Sequence, residues 1–295
     1  MTIDIGERID VAIVEAEYKD YVPRGHLGAS QIGDQCYRAL WYSLHWASEG
    51  DKWSARSLRI ADRGNREELR FQEWLNMVCE KTLFVNPKTG KQWKAKALQG
   101  IFSGSSDGVI KYKGDWYLAE FKTHGAKYYR EVVKKGVKNG RPKHWFQMQM
   151  YMYLLNLKKA IYFAINKDTD EIYTEVVELD YFVCDSQLDK ADTVIKAKSG
   201  LDMPKISEAL TWWECNLCDH KPVCKGGKEP HKNCRTCAFA VPNHDDVWTC
   251  TFHKKDMDAK EQWNNANDCA AYAMHDVFNE AATRNKPVAF NLKMK

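Results

Sequence analysis

The sequence predicts an α/β fold, a short mixed sheet flanked by helices, with a small cysteine-rich module at the C-terminal end. Three observations carry this expectation. Residues 1–80 are dominated by stretches with helical apolar spacing. Strand-like, turn-rich sequence runs from about 84 to 123 and returns over 160–179. Seven of the ten cysteines lie after residue 214.

Taken in order, "SQIGDQCYRALWYSLHWA" places Ile32, Cys36, Leu40 and Trp41 at helical spacing, with Ser30 as the expected N-cap. "NREELRFQEWLNMVCE", after Gly64, repeats the pattern with Leu69, Trp74, Leu75 and Val78. A hairpin is expected over 107–122, and helix over 143–158. "AIYFAINKDTDEIYTEVVEL" reads as two strands around a polar turn, and 185–210 as a further helix. After Cys224, "KGGKEPHKN" has the composition of a linker. The expected division is therefore a main domain over 1–225 and a module over 226–295, the latter too small to fold readily without a staple.

The formal net charge of +4 does not by itself announce a partner, but its distribution is uneven. "GAKYYREVVKKGVKNGRPKH" holds seven Lys or Arg residues and one acid. It reads either as a solvated surface helix or as a surface for a polyanion. No stretch approaches the about 20 consecutive apolar residues of a membrane span, and "MTIDIGERID" lacks the features of a signal peptide. The expectation is a cytoplasmic protein without membrane contact. Reducing conditions there disfavour disulfides, so metal ligation is the expected use of the cysteines.

"SGSSDGVIKYKGDWYLAEFKTHG" puts Glu120 and Lys122 where apolar residues would serve packing better. A hairpin turning at Gly114-Asp115 pairs Lys113 with Trp116 and sets Asp107 opposite Lys122. Asp107, Glu120 and Lys122 then share one face, with Phe121 and Tyr117 on the other. Two carboxylates that hold a divalent cation and a lysine beside a water are what phosphodiester hydrolysis needs. An Asp in a turn with an exposed Glu/Lys pair on an edge strand is the plainer alternative.

Two further segments add to the pattern. "RGNREELRFQEWL" places Glu68 four residues after Gly64, and "HWFQMQMYMYLLN" places Gln147 and Tyr151 one helical turn apart. Gly-x-x-x-Glu, Asp, Glu-x-Lys and Gln-x-x-x-Tyr, in that order over residues 60–155, resemble the RecB-like and lambda-exonuclease-like branch of the PD-(D/E)XK nucleases. The resemblance implies a restriction-endonuclease-like core and magnesium or manganese on Asp107 and Glu120, with Glu68 as a further ligand. It also implies Lys122 as the catalytic lysine, the Phe121 carbonyl completing the metal shell, and Gln147 and Tyr151 at the substrate or ordering the site. Glu67 competes with Glu68, and Gln149 with Tyr153 satisfies the same spacing as the preferred pair.

"CNLCDHKPVC" supplies Cys215, Cys218 and Cys224 but no fourth thiol nearby. Spacing alone leaves zinc and an iron-sulfur cluster equally open. With Cys36 far upstream, the set resembles the iron-sulfur staple of the CRISPR-adaptation nucleases and the AddB nuclease domain, which implies a structural [4Fe-4S] cluster. Cys234, Cys237, Cys250 and Cys269 suit tetrahedral zinc, with His231, His244 and His253 able to replace a cysteine. The expected function is a metal-dependent DNA nuclease, an exonuclease before an endonuclease, of phage-type recombination, replication or processing. Expected partners are single- or double-stranded DNA and recombination or replication proteins, with Arg38, Lys127, Arg130, Lys134 and Lys135 on phosphates. The alternative is a non-catalytic nucleic-acid-binding or assembly protein on the same fold.

Overall fold

The structure is a computed structural model that describes residues 4–49, 52–209 and 211–275; the last twenty positions of the expected C-terminal module lie outside the described residues. In chain order its elements are α1 (Ile5–Tyr18), β1 (Leu27–Gly28), α2 (Tyr37–Leu44), α3 (Ala55–Val78), β2 (Lys81–Leu83), β3 (Trp93–Ala97), β4 (Phe102–Ser106), β5 (Gly108–Tyr112) and β6 (Asp115–His124). Then follow α4 (Ala126–Gly140), α5 (Pro142–Leu154), β7 (Lys159–Asn166), β8 (Ile172–Glu178), α6 (Tyr181–Lys196), α7 (Trp213–Asn216), α8 (Lys221–Lys225), β9 (Ala240–His244), β10 (Val247–Cys250), β11 (Lys255–Met257) and α9 (Ala259–Asn264).

Packing divides the chain into two interleaved units. The first holds residues Met1–Tyr21, His26–Asp34 and Lys52–Asp192; the second holds Val22–Gly25, Gln35–Asp51 and Thr193–Lys295. The sequence places the division near 225, where the linker composition falls. The packing units change near 192, and residues 35–51 join the later segment. Side-chain bonds explain that grouping: Trp41 Nε1 donates to the Ala197 carbonyl at 3.0 Å, and the Arg38 guanidinium donates to the carbonyls of Leu201 and Met203.

The first unit is built on a five-stranded mixed sheet of order β2-β5-β6-β7-β8, in which β6 and β7 run parallel and the other pairs antiparallel. Strand alternation gives each face of β6 its own task. Ala119 and Phe121 point into a core with Phe71 and Leu75 of α3 and with Phe163 and Ile165 of β7. The Phe71 and Phe121 rings stack at 5.1 Å. Glu120 and Lys122 take the other face, that of Tyr162 and Tyr151.

Several sequence expectations shift. The α2 helix begins at Tyr37, with Cys36 rather than Ser30 at the N-cap position and no side-chain capping bond, because turns held by the Asp34 N–H to Gln31 carbonyl bond fill the stretch before it. One 24-residue helix, α3, replaces the expected start after Gly64; Ser54 caps it by accepting from the Ser57 N–H at 3.2 Å. The α6 helix ends at Lys196, short of the expected 210. The 107–122 hairpin turns at Lys113 and Gly114, whose φ values of 48° and 84° suit a two-residue turn with both central residues left-handed. Tyr112 therefore pairs with Asp115 and Gly108 with Ala119, which brings Asp107 level with Glu120 rather than Lys122. A slip of two residues keeps every side chain on its face, so the grouping survives the correction.

The second unit contains an antiparallel β11-β10-β9 sheet. At its centre the buried Arg235 guanidinium lies between Trp46, at 3.7 Å, and Trp248, at 4.6 Å, and donates to the Leu44 carbonyl and to Gln262 Oε1. Among the described residues, no helix is long and apolar enough to cross a membrane.

Candidate active site

The floor of the site is set by two elements. Asp107 ends the link between β4 and β5, and its Oδ2 accepts from the Phe121 main-chain N–H at 2.7 Å, which fixes the carboxylate beside β6. Glu120 is fully buried, with one oxygen accepting from the Lys122 ammonium and Oε2 without a hydrogen-bond partner. Burial pushes Glu120 up to about 8; Lys122 opposes that shift and Asp107 adds to it. Burial alone would lower Lys122, but Glu120 and Asp107 carry it above the ordinary lysine range.

Glu68, on α3, joins this group. Its carboxyl is raised first by burial and then by Asp107, and Gln72 and Gln92 both donate to its Oε1, at 3.2 and 3.1 Å. The neighbouring Glu67 is held by Arg70, which donates to both of its oxygens. On α5, Tyr151 is buried and raised above the ordinary tyrosine range by burial, then by Glu120 and Asp107, while Lys122 and Gln147 oppose the shift. A Cβ on Gly104 of β4 would fall 2.6 Å from that hydroxyl, so Gly104 makes the space that Tyr151 occupies. Gln149 and Tyr153 are engaged elsewhere: Gln149 bonds the main chain at Glu178 and Asp180, and the Tyr153 hydroxyl donates to Asp185.

A cleft of about 810 Å³ opens over these groups, with Glu68, Asp107 and Lys122 in its lining. Its rim carries Arg56, Arg59 and Arg63 from α3, together with Lys167. Sequence reasoning missed these arginines, although "ARSLRIADRG" shows the signal in cations one and two helical turns apart. His124 also lines the cleft. Its Nε2 and the Nδ1 of His144 both lie within hydrogen-bond distance of the Tyr162 hydroxyl, at 2.7 and 3.0 Å. Burial, then Arg141 and Lys122, pushes His124 down to about 4.

The expected phosphate residues are placed less uniformly. Lys127, Arg130, Lys134 and Lys135 are exposed on α4, and Lys135 pairs with Glu131 at 3.0 Å. Arg38 is 9% exposed, and its guanidinium donates to the main-chain carbonyls of Leu201 and Met203.

In the second unit, Cys36, Cys215, Cys218 and Cys224 line one small cavity. The Cys224 thiol is raised by burial, with Cys36 near enough to contribute. Cys234, Cys237, Cys250 and Cys269 line another cavity together with His253. Burial pushes Cys234 up to about 11, and its three partner cysteines add to the shift. Cys269 Sγ lies 3.6 Å from His253 Nε2. Among the described residues, no group of three or more His, Cys, Asp or Glu side chains closes tightly enough to hold a metal ion as it stands. The donor chemistry nevertheless fits. The orphaned Glu120 oxygen among carboxylates suits a hard divalent cation, and sets of four cysteines suit softer metals.

A mixed sheet that gathers acids and a lysine under a cation-rimmed cleft is the frame of a nuclease. The chain belongs to the PD-(D/E)XK nuclease superfamily, whose family model matches residues 5–225. Among solved structures it is similar to SSO0001, at 19% identity and a TM-score of 0.41, over 75% of this chain and 96% of that one. It is also similar to LHK-Exo in complex with dAMP, at 15% identity and a TM-score of 0.41, over 64% and 90% of the two chains. A further structure of LHK-Exo, an alkaline exonuclease from Laribacter hongkongensis, matches at 15% identity and a TM-score of 0.38 over the same shares. No curated protein sequence matches the chain.

Proposed function

We propose that the protein is a metal-dependent deoxyribonuclease, an exonuclease, that hydrolyses phosphodiester bonds in phage-type DNA recombination, replication or processing. The observation that carries this reading is the buried Glu120 carboxyl, with one oxygen on Lys122 and the other unpartnered beside Asp107. A core serving stability alone would fill this position with an apolar side chain, since an unsatisfied buried oxygen costs about 1–3 kcal/mol.

Asp107, Glu120 and Glu68 would hold Mg2+ or Mn2+, with the Phe121 carbonyl as a further ligand. When bound, the ion supplies Lewis-acid neutralisation of the charge that grows on the phosphate oxygens. Lys122, kept protonated by the two acids, places a fixed positive charge beside the attacking water. Water adds to phosphorus as the bond to the leaving sugar oxygen breaks. Tyr151, buried and seated over Gly104, packs against the floor from the α5 side. The cysteine cavities support two structural roles: a [4Fe-4S] cluster on Cys36, Cys215, Cys218 and Cys224, and Zn2+ on Cys234, Cys237, Cys250 and Cys269.

Digestion of end-labelled single- and double-stranded DNA with magnesium or manganese tests the reading and gives strand preference and direction together. Release of labelled nucleotides that stops with a chelator is the expected result. Binding without cleavage in either metal would instead assign the fold to a non-catalytic nucleic-acid platform.

A further inference from the structure

We infer that Arg56, Arg59 and Arg63 form a phosphate track along α3 that seats the nucleic-acid strand over the acidic floor. The inference rests on the nuclease reading and adds the path of the substrate to it. Positions 56, 59 and 63 recur at helical spacing, and all three side chains are exposed on the wall of the cleft that contains Glu68, Asp107 and Lys122. From 56 to 63 the helix rises roughly 10 Å, enough to meet more than one phosphate of a strand.

Electrostatics favours such a track. Before a cation is bound, a phosphodiester approaching the acids of the floor meets like charge, and cations set apart from the metal ligands can hold the strand there. Guanidinium groups at the rim supply the missing attraction and grip phosphate oxygens with two parallel donors. Lys167, at the same rim, pairs with Asp168 at 3.0 Å, and Arg59 pairs with Asp10. Both are surface pairs with half-exposed partners, of the kind that contributes little and exchanges readily for a phosphate.

The basic face of α4 is the competing path, but of that helix only Tyr128 lines the cleft. Tyr128 is 53% exposed, and the Arg141 guanidinium lies over its ring at 4.3 Å. The strand is thus held by charge from α3 and faces an aromatic ring on α4, while Lys127, Arg130 and Lys134 stand outside the cleft wall.

The test compares the Arg56→Gln/Arg59→Gln/Arg63→Gln triple variant with its all-Lys counterpart and with Lys127→Gln/Arg130→Gln/Lys134→Gln. Binding of a labelled single-stranded DNA oligonucleotide is measured against salt in a chelating buffer, with circular dichroism melts to check folding. Each lost phosphate contact flattens the slope of log K against log salt by about 0.7, so the Gln triple should flatten it by about 2. The Lys triple should keep most of the slope, and the α4 variant should keep it as well. An unchanged slope in a folded Gln triple, or a loss confined to the α4 variant, would overturn the track. Cleavage by the wild-type protein is scored separately. If wild type fails to cleave but the Gln triple still flattens the slope, the nuclease reading falls and the track stands.

Discussion

The Phe121 main-chain N–H donates to Asp107 Oδ2 at 2.7 Å, so the residue between Glu120 and Lys122 is tied by its backbone to the first acid of the site. Its ring meanwhile stacks on Phe71 in the core. Through Phe121 the hydrophobic interior fixes the spacing of the polar floor, and replacements at the floor can be judged by whether they keep this tie.

Asp107→Asn retains an oxygen that accepts from Phe121 and removes only the charge. Folding should be preserved, with cleavage reduced by at least about a hundredfold, the scale seen when one preorganised transition-state partner is lost. Single-turnover rates with Mn2+, alongside thermal melts, check this; wild-type turnover in the variant would remove Asp107 from the chemistry.

Lys122→Ala leaves the buried Glu120 without its ion partner. Cleavage should fall by about a hundredfold or more, and in melts recorded above about pH 8, where the wild-type Glu120 carboxyl is ionised, the metal-free protein should melt lower, because a buried carboxylate left unpaired costs several kcal/mol. A melt unchanged from wild type would show that Glu120 does not depend on this lysine.

Gly104→Ala places a methyl group 2.6 Å from the Tyr151 hydroxyl and 2.8 Å from its Cε1, so the ring must move. The expected outcome is a fall in kcat with DNA binding largely kept. Gly64→Ala is the contrast: beyond the backbone of its own helix turn no atom lies within 4 Å of the added carbon, and α3 should gain about 0.5–1 kcal/mol, read as a higher Tm.

Cys36→Ser should bleach the brown colour expected of anaerobically purified protein while leaving zinc bound, and Cys234→Ser should do the reverse. Iron, sulfide and zinc analyses of the two variants separate the sets. Equal loss of both metals from both variants would argue for one shared site.

His45 predicts the acid limb of stability. It is buried against Trp41, with rings 3.7 Å apart, and meets Trp248 edge-on; its Nδ1 lies 2.9 Å from the Trp41 carbonyl. Burial, helped by Arg235 and His275, pushes it from 6.5 down to about 3. The unfolded chain then takes up a proton that the fold refuses. The stability is complete above 6.5 and is lost as pH falls toward 3, at about 1.4 kcal/mol per pH unit. His45→Phe should flatten this dependence in melts recorded from neutral to acid pH.

The grouping of Asp107, Glu120 and Lys122 was legible because strand parity is a local property that survives a register slip of two. The turn at Lys113 and Gly114 was misplaced because Lys113 had to be recognised as left-handed, which its residue type does not advertise. Choosing Gln147 and Tyr151 over Gln149 and Tyr153 required the neighbouring strands: both pairs fit a helix, and only the sheet decides which faces the acids. The burial of Arg38 is hidden for a similar reason, since its partners at Leu201 and Met203 lie more than 160 positions along the chain. The arginines of α3 are visible in spacing, but a helix expected to follow Gly64 leaves them outside it, whereas α3 runs unbroken through that glycine.

The assignment of residues 35–51 to the later unit has a consequence for biosynthesis. As the polypeptide leaves the ribosome, Trp41, Tyr42 and Leu44 emerge long before the segment beyond 192 that completes their burial. Until then these side chains form an exposed greasy surface that a chaperone would recognise. A fragment ending near 192 would keep that surface permanently, so shortening the gene there should produce insoluble material rather than a minimal enzyme.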